Sequence, residues 1–186
     1  MDEVMVDELG PLARLAGVWE GGEGVDISMV NGQEALTSFH ERIVFDPIGP
    51  VKNGPQVLYG LRYAMTARRL GEMEAFHEEL GYWLWDAGHN QVLRCFMVPR
   101  GVLINAGGDA EANSTSFHLS AEVGSETYGI LSNQFLHDSH KTMKYTLDIG
   151  IHNDDQFSYK EDTHLWMPAK ETVFHHTDQN TLMKLE

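Results

Sequence analysis

The run Met143-Lys144-Tyr145-Thr146-Leu147-Asp148-Ile149-Gly150-Ile151-His152 decides the fold class. Met143, Tyr145, Leu147, Ile149 and Ile151 alternate with Lys144, Thr146, Asp148, Gly150 and His152. That is the period of a strand with one face in a core and the other in water. Asn153-Asp154-Asp155 follows as a turn signal. Residues 156–167 then alternate again, with Phe157, Tyr159, Thr163 and Leu165 on one face and Lys160, Asp162, His164 and Trp166 on the other. The two runs read as a β-hairpin.

Working outward, the same period recurs. Phe39, Ile43 and Phe45 share a face, as do Tyr59, Leu61, Tyr63 and Met65. In the run to Trp85, Phe76, Leu80, Tyr82 and Leu84 oppose His77, Glu79, Trp83 and Trp85. Together with residues 19–28, 92–98, 101–106, 117–123 and 173–185, this makes about ten strands. Only residues 6–16 break the pattern. Leu9, Leu12, Ala13 and Leu15 are spaced as in a helix, Pro11 lies near its start, and Gly17 supplies a stop. Consecutive strands without intervening helices make an antiparallel meander. Its two edges are removed only by closure into an up-and-down barrel, with a sandwich as the alternative. The expectation is all-β: a roughly ten-stranded antiparallel barrel with a short N-terminal helix, one domain over residues 1–186. A barrel of this size can hold one small ligand.

Charge excludes two partner classes. With 13 basic and 28 acidic residues the formal charge is −15, which repels nucleic-acid phosphates and anionic membranes. The lone cysteine, Cys95, has no partner for an internal disulfide, as suits a reducing compartment. No signal peptide and no apolar span is visible, so the expected localisation is cytoplasmic.

Several chemistries are absent. Gly21-Gly22-Glu23-Gly24 has neither dinucleotide-fingerprint spacing nor a phosphate-loop lysine, and reads as a strand that bends or admits a ligand. There is no Gly-x-Ser-x-Gly elbow. Cys95 sits in the apolar run Leu93-Arg94-Cys95-Phe96-Met97 and reads as a buried, inert thiol, with Arg94 on the opposite face. Two histidine clusters stand out among the ten histidines. His137-Asp138-Ser139-His140 lies in a polar stretch read as loop. Phe174-His175-His176-Thr177-Asp178 lies on the last strand. Adjacent strand residues face opposite ways, so His175, His176 and Asp178 cannot share one metal as a two-His-one-carboxylate set. One inward histidine as a single haem ligand is geometrically easy. The eight Phe and nine Met fit either a packed core or an apolar ligand cavity.

Four segments carry a family resemblance. They are Pro11 to Gly24 with its Gly17-Val18-Trp19-Glu20-Gly21 opening, Phe76 to Trp85 around Glu79-Leu80-Gly81-Tyr82, Val98-Pro99-Arg100-Gly101-Val102, and Phe174 to Leu182. With these the chain resembles the nitrobindin-type haem-binding β-barrels, in particular their bacterial, fatty-acid-binding-protein-like branch. The resemblance implies a lipocalin-like ten-stranded barrel. It further implies a ferric haem b at the barrel mouth held by one last-strand histidine, nitric oxide binding at the iron, and peroxynitrite isomerisation. Counting back from Leu182, the ligating position falls near Thr177, flanked by His176 and His175; strand parity favours His175. Gly17, Trp19, Gly21 and Gly24 are the other cofactor-binding candidates. The alternative is a non-catalytic carrier of a fatty acid or similar apolar molecule. A metal-dependent enzyme built on the histidine clusters ranks last, and a homodimer is left open.

Overall fold

The computed structural model describes residues 8–185. Eleven strands close into a barrel: β1 (Gly17–Val30), β2 (Gln33–Asn53), β3 (Gln56–Arg69), β4 (Ala75–Asp86), β5 (Gln91–Val98), β6 (Val102–Asp109), β7 (Ser116–Val123), β8 (Gly129–Leu131), β9 (Lys141–Asn153), β10 (Gln156–Met167) and β11 (Thr172–Leu185). Their order around the barrel is β1-β11-β10-β9-β7-β8-β6-β5-β4-β3-β2. The meander is antiparallel except where three-residue β8 wedges between β6 and β7, running parallel to β7. β8 is the strand beyond the expected ten. The decisive hairpin forms as read, with Asn153 opposite Gln156. The barrel closes where β1 meets β11, from Val18 opposite Leu185 to Ile27 opposite Thr177.

The glycines at 21–24 sit where β1 bulges, its register shifting between Gly21 and Gly24 against β2. A Cβ on Gly24 would lie 2.4 Å from the Phe39 ring, so the bulge lets that ring fold over bare backbone.

One end of the barrel is plugged. A 3-10 helix, Gly10–Leu15, with Pro at its start, buries Leu12 and Leu15. The helical expectation from residue 6 is met only from Gly10; residues 6 and 7 lie outside the described residues. Trp19 is fully buried beneath the helix, its indole N–H donating to the Leu15 carbonyl at 2.7 Å and its ring meeting Phe157 edge-on at 4.8 Å. Trp83, Phe45, Tyr63 and Phe117 extend this aromatic packing upward. Part of the aromatic content is therefore solid core. No helix among the described residues is long and apolar enough to cross a membrane.

The polar stretch before β9, read as loop, contains the α-helix α1 (Gln134–Ser139). Asn133 caps it by accepting a hydrogen bond from the Leu136 N–H at 2.9 Å. His137 lies on this helix and His140 caps its C-terminus.

Candidate functional site

The end opposite the plug is open and leads into a cavity of about 550 Å³, within the range of small-molecule and cofactor sites. Its upper wall is apolar and includes Phe39, Met65, Phe76, Phe96 and Leu165, with Phe135 and Leu136 from α1 at the edge. Arg69 and Arg100 are also at this cavity's lining. Apolar side chains remain exposed around it, Met73 on the β3–β4 turn at 90% and Phe135 on α1 at 66%.

The floor is different in kind. Asp26, His77, Glu79, Tyr145, Glu161, His176 and Asp178 all reach it, and beneath it Glu41 is 1% exposed. Arg94 is the hub. Its guanidinium donates to Glu79, Glu161, Tyr145 and Tyr63 and stands 4.3 Å from the centre of the Phe96 ring. Tyr63 donates to Glu79 at 2.9 Å, Tyr145 to Glu161 at 2.7 Å and Tyr159 to Glu41 at 2.9 Å. Buried carboxylates demand such partners.

These surroundings drive the acids apart. Burial works against the Glu79 carboxylate, but Arg94 and His77 overcome it and hold Glu79 down to about 2. Glu41 lacks a cation: burial, then its acidic neighbours, push it up to about 7 despite hydrogen bonds from Asn180 and Tyr159. Asp178 is pushed well up by burial and by Glu161, Glu41 and Glu79. Asp26 is held low against burial by hydrogen bonds from His176 and Ser28. Burial opposes charge on His77, and its bond to Glu79 raises it nonetheless. Of the five carboxyls, Glu79 and Glu161 meet the one permanent cation, Arg94, whereas Glu41 and Asp178, both pushed up, hold their protons more tightly and can donate a hydrogen bond.

The two candidate histidines part company. β11 pairs with β10 without a bulge. Leu182, Asn180, Asp178 and His176 therefore alternate inward from buried Leu182. His176 lines the cavity, its Nε2 2.6 Å from Asp26 Oδ1. His175 points outward, 56% exposed, its Nδ1 2.8 Å from Asp162 Oδ2. Parity had favoured His175; the structure reverses this, because inward positions lie at even offsets from Leu182.

Of the other candidates, Trp19 belongs to the plug and Gly17 lies beside Lys184 at the same closed end. Gly21 accommodates Asn180, and Gly24 shapes the cavity only by making room for Phe39. Trp19 and Gly17 are not brought to the cavity. Cys95 faces outward, half-buried, its thiol donating to Asn105 at 3.0 Å and pushed up by burial. It is Arg94 that points in, the reverse of the expectation for this run. The sequence reading missed Arg94, Glu41, Glu161 and Asp26. Their signal was a charged residue at an apolar parity position, as Arg94 stands between Val92 and Phe96.

The sequence matches the THAP4-like, heme-binding beta-barrel domain family over residues 8–184. The chain belongs to this family. No curated protein matches it. Among solved structures it is similar to Rv2717c from M. tuberculosis, with TM-score 0.69 and 16% identity over 96% of this chain and 98% of that one; at that identity the likeness shows the fold alone. The family's barrel corresponds here to a cavity whose lining holds three histidines, His77, His140 and His176; of these His77 bonds Glu79 and His176 bonds Asp26.

Three observations test whether these residues suit a haem. His176 presents an imidazole to the cavity with a carboxylate on one nitrogen, the partner a ligating histidine usually has, and its second nitrogen is the one that can meet iron. The upper wall offers flat apolar surface from Met65, Phe76 and Phe96. Arg69 and Arg100 in the lining offer cations suited to haem's carboxylates. The residues fit the group.

Proposed function

We propose that the barrel holds one ferric haem b in the mouth cavity, with His176 as the protein's ligand to iron. The supporting observation is the His176–Asp26 pair in the wall of an otherwise apolar-sided cavity. Bound haem would supply the iron at which nitric oxide binds and peroxynitrite is isomerised. The protein's own part is twofold: Asp26 orients His176, and the apolar wall excludes water from one side of the ligand. The chain would work in the cytoplasm, as a monomer or a homodimer. A fatty-acid carrier is the competing reading. The one guanidinium at the floor, Arg94, is already taken up by Glu79 and Glu161 and is not free for a carboxylate head. Titration with hemin tests the proposal: a Soret band saturating at one hemin per chain, unmoved by excess long-chain fatty acid, is expected. Displacement of an apolar dye by fatty acid but not by hemin would favour the carrier.

A further inference from the structure

On the outer face of the β10–β11 hairpin, separated by the sheet from the cavity, two histidines and an aspartate converge. His164 and His175 stand directly opposite each other across the strands, their rings 4.2 Å apart at centre. Asp162 is two residues before His164 and so on the same face. Its Oδ2 lies 2.8 Å from His175 Nδ1 and 3.3 Å from His164 Nε2, and the ligand atoms of all three residues fall within 4.8 Å of one another. The geometry points to a divalent transition-metal site on the barrel's outer wall, with Asp162, His164 and His175 as its protein ligands.

Hydrogen bonding alone does not account for the cluster. Asp162 Oδ2 faces both imidazoles while its Oδ1 is buried without a hydrogen-bond partner, and a half-unpaired carboxylate is costly unless a cation held at Oδ2 neutralises it. The spacing suits a metal. Ligand atoms about 2.1 Å from a tetrahedral ion stand roughly 3.4 Å apart, so the 3.3 Å separation is already right and the 2.8 Å one need open by only about half an ångström. Three protein ligands from two paired strands leave the remaining positions to water, and His175 is 56% exposed. Two imidazoles and one carboxylate select Zn²⁺, Ni²⁺ or Cu²⁺ over Mg²⁺ and Ca²⁺. Lys144, opposite His164 on β9, is held 3.0 Å from Glu122. The chain's charge of −15 draws cations to the surface.

Isothermal titration of the full chain with ZnCl₂ and with NiCl₂ tests the site. One equivalent is expected to bind, with no comparable heat from MgCl₂. Asp162→Asn, His164→Ala and His175→Ala should each weaken binding at least tenfold, while His176→Ala and His118→Ala should bind as wild type. The three positions are on the outer wall, Asp162 and His164 half-buried there, and thermal unfolding without metal checks that each variant is folded. Failure of the wild type to bind Zn²⁺ or Ni²⁺, or wild-type binding by the three variants, would overturn the assignment. So would loss of binding on substituting His118 or His137 instead.

Discussion

His176 on the last strand and Asp26 on the first meet across the seam that closes the barrel, Nε2 to Oδ1 at 2.6 Å. The pair exists only because β1 and β11 are neighbours, which brings together residues 150 apart in sequence. It places an oriented imidazole in the cavity wall and fixes one of its nitrogens.

Asp26→Asn tests that orientation. A neutral amide still fills the space but no longer accepts as a carboxylate does. Hemin affinity should fall by about 10- to 100-fold, the usual cost of losing the partner of a metal-binding histidine. Spectrophotometric titration reads it; unchanged affinity would mean that Asp26 does not act through His176.

Trp19 separates plug from site. Trp19→Ala removes a fully buried indole and its bond to Leu15. Chemical denaturation should show a loss of about 3–5 kcal/mol, while the folded fraction binds hemin as wild type. A selective loss of hemin binding would return Trp19 to the cofactor site.

Much of the fold was legible in the sequence, and the site was legible only in part. The alternation from Tyr145 to Leu165 carries faces, turn and pairing together, because an antiparallel hairpin is local; it fails at Met143, where the register shifts between His164 and Leu165 and Thr142 is turned into the cavity instead. Arg94 defeats that logic. Pattern reading sends charged residues outward, yet Arg94 is inside, where Glu79 and Glu161 compensate it from β4 and β10. Those partners are 15 and 67 residues away, and no local window connects them. On β4 the exposed Leu80 and Tyr82 and the buried Glu79 invert the usual hydrophobic ranking for the same reason. The two histidines failed differently. Their opposite facing followed from strand geometry, but which one looked inward depended on the absolute phase of β11, set by Leu182 packing into the plugged half.

Arg94→Met tests the hub directly. It leaves Glu79 and Glu161 buried without their cation, and unpaired buried charge costs about 3–5 kcal/mol at neutral pH. Unfolding in denaturant checks the loss, which should shrink in acid as the carboxylates take up protons. A variant as stable as wild type at pH 7 would show that the tyrosines alone satisfy the acids.

Glu41 sets a pH dependence with a definite sign. Its carboxyl is raised from 4.5 to about 7 in the folded protein, so the folded state holds this proton more tightly than the unfolded chain does. The resulting stabilisation is complete below about pH 4.5 and is lost as pH rises toward 7, amounting to roughly 3 kcal/mol. Asp178 acts in the same direction; Glu79 and Asp26, which are lowered, act oppositely and only in more acid solution. Denaturation midpoints should therefore rise as pH is lowered from 8 to 5. Glu41→Gln should flatten that slope, and an identical slope in the variant would contradict the assignment.

The assignment of His176, among the histidines lining the cavity, as the ligand to iron rests on one comparison, hemin titration of His176→Ala beside His175→Ala. His176→Ala is predicted to lose the ferric Soret band or to bind hemin far more weakly. His175→Ala, altered on the outer wall, should titrate like wild type. Unimpaired hemin binding by His176→Ala, or a loss confined to His175→Ala, would contradict the proposed site.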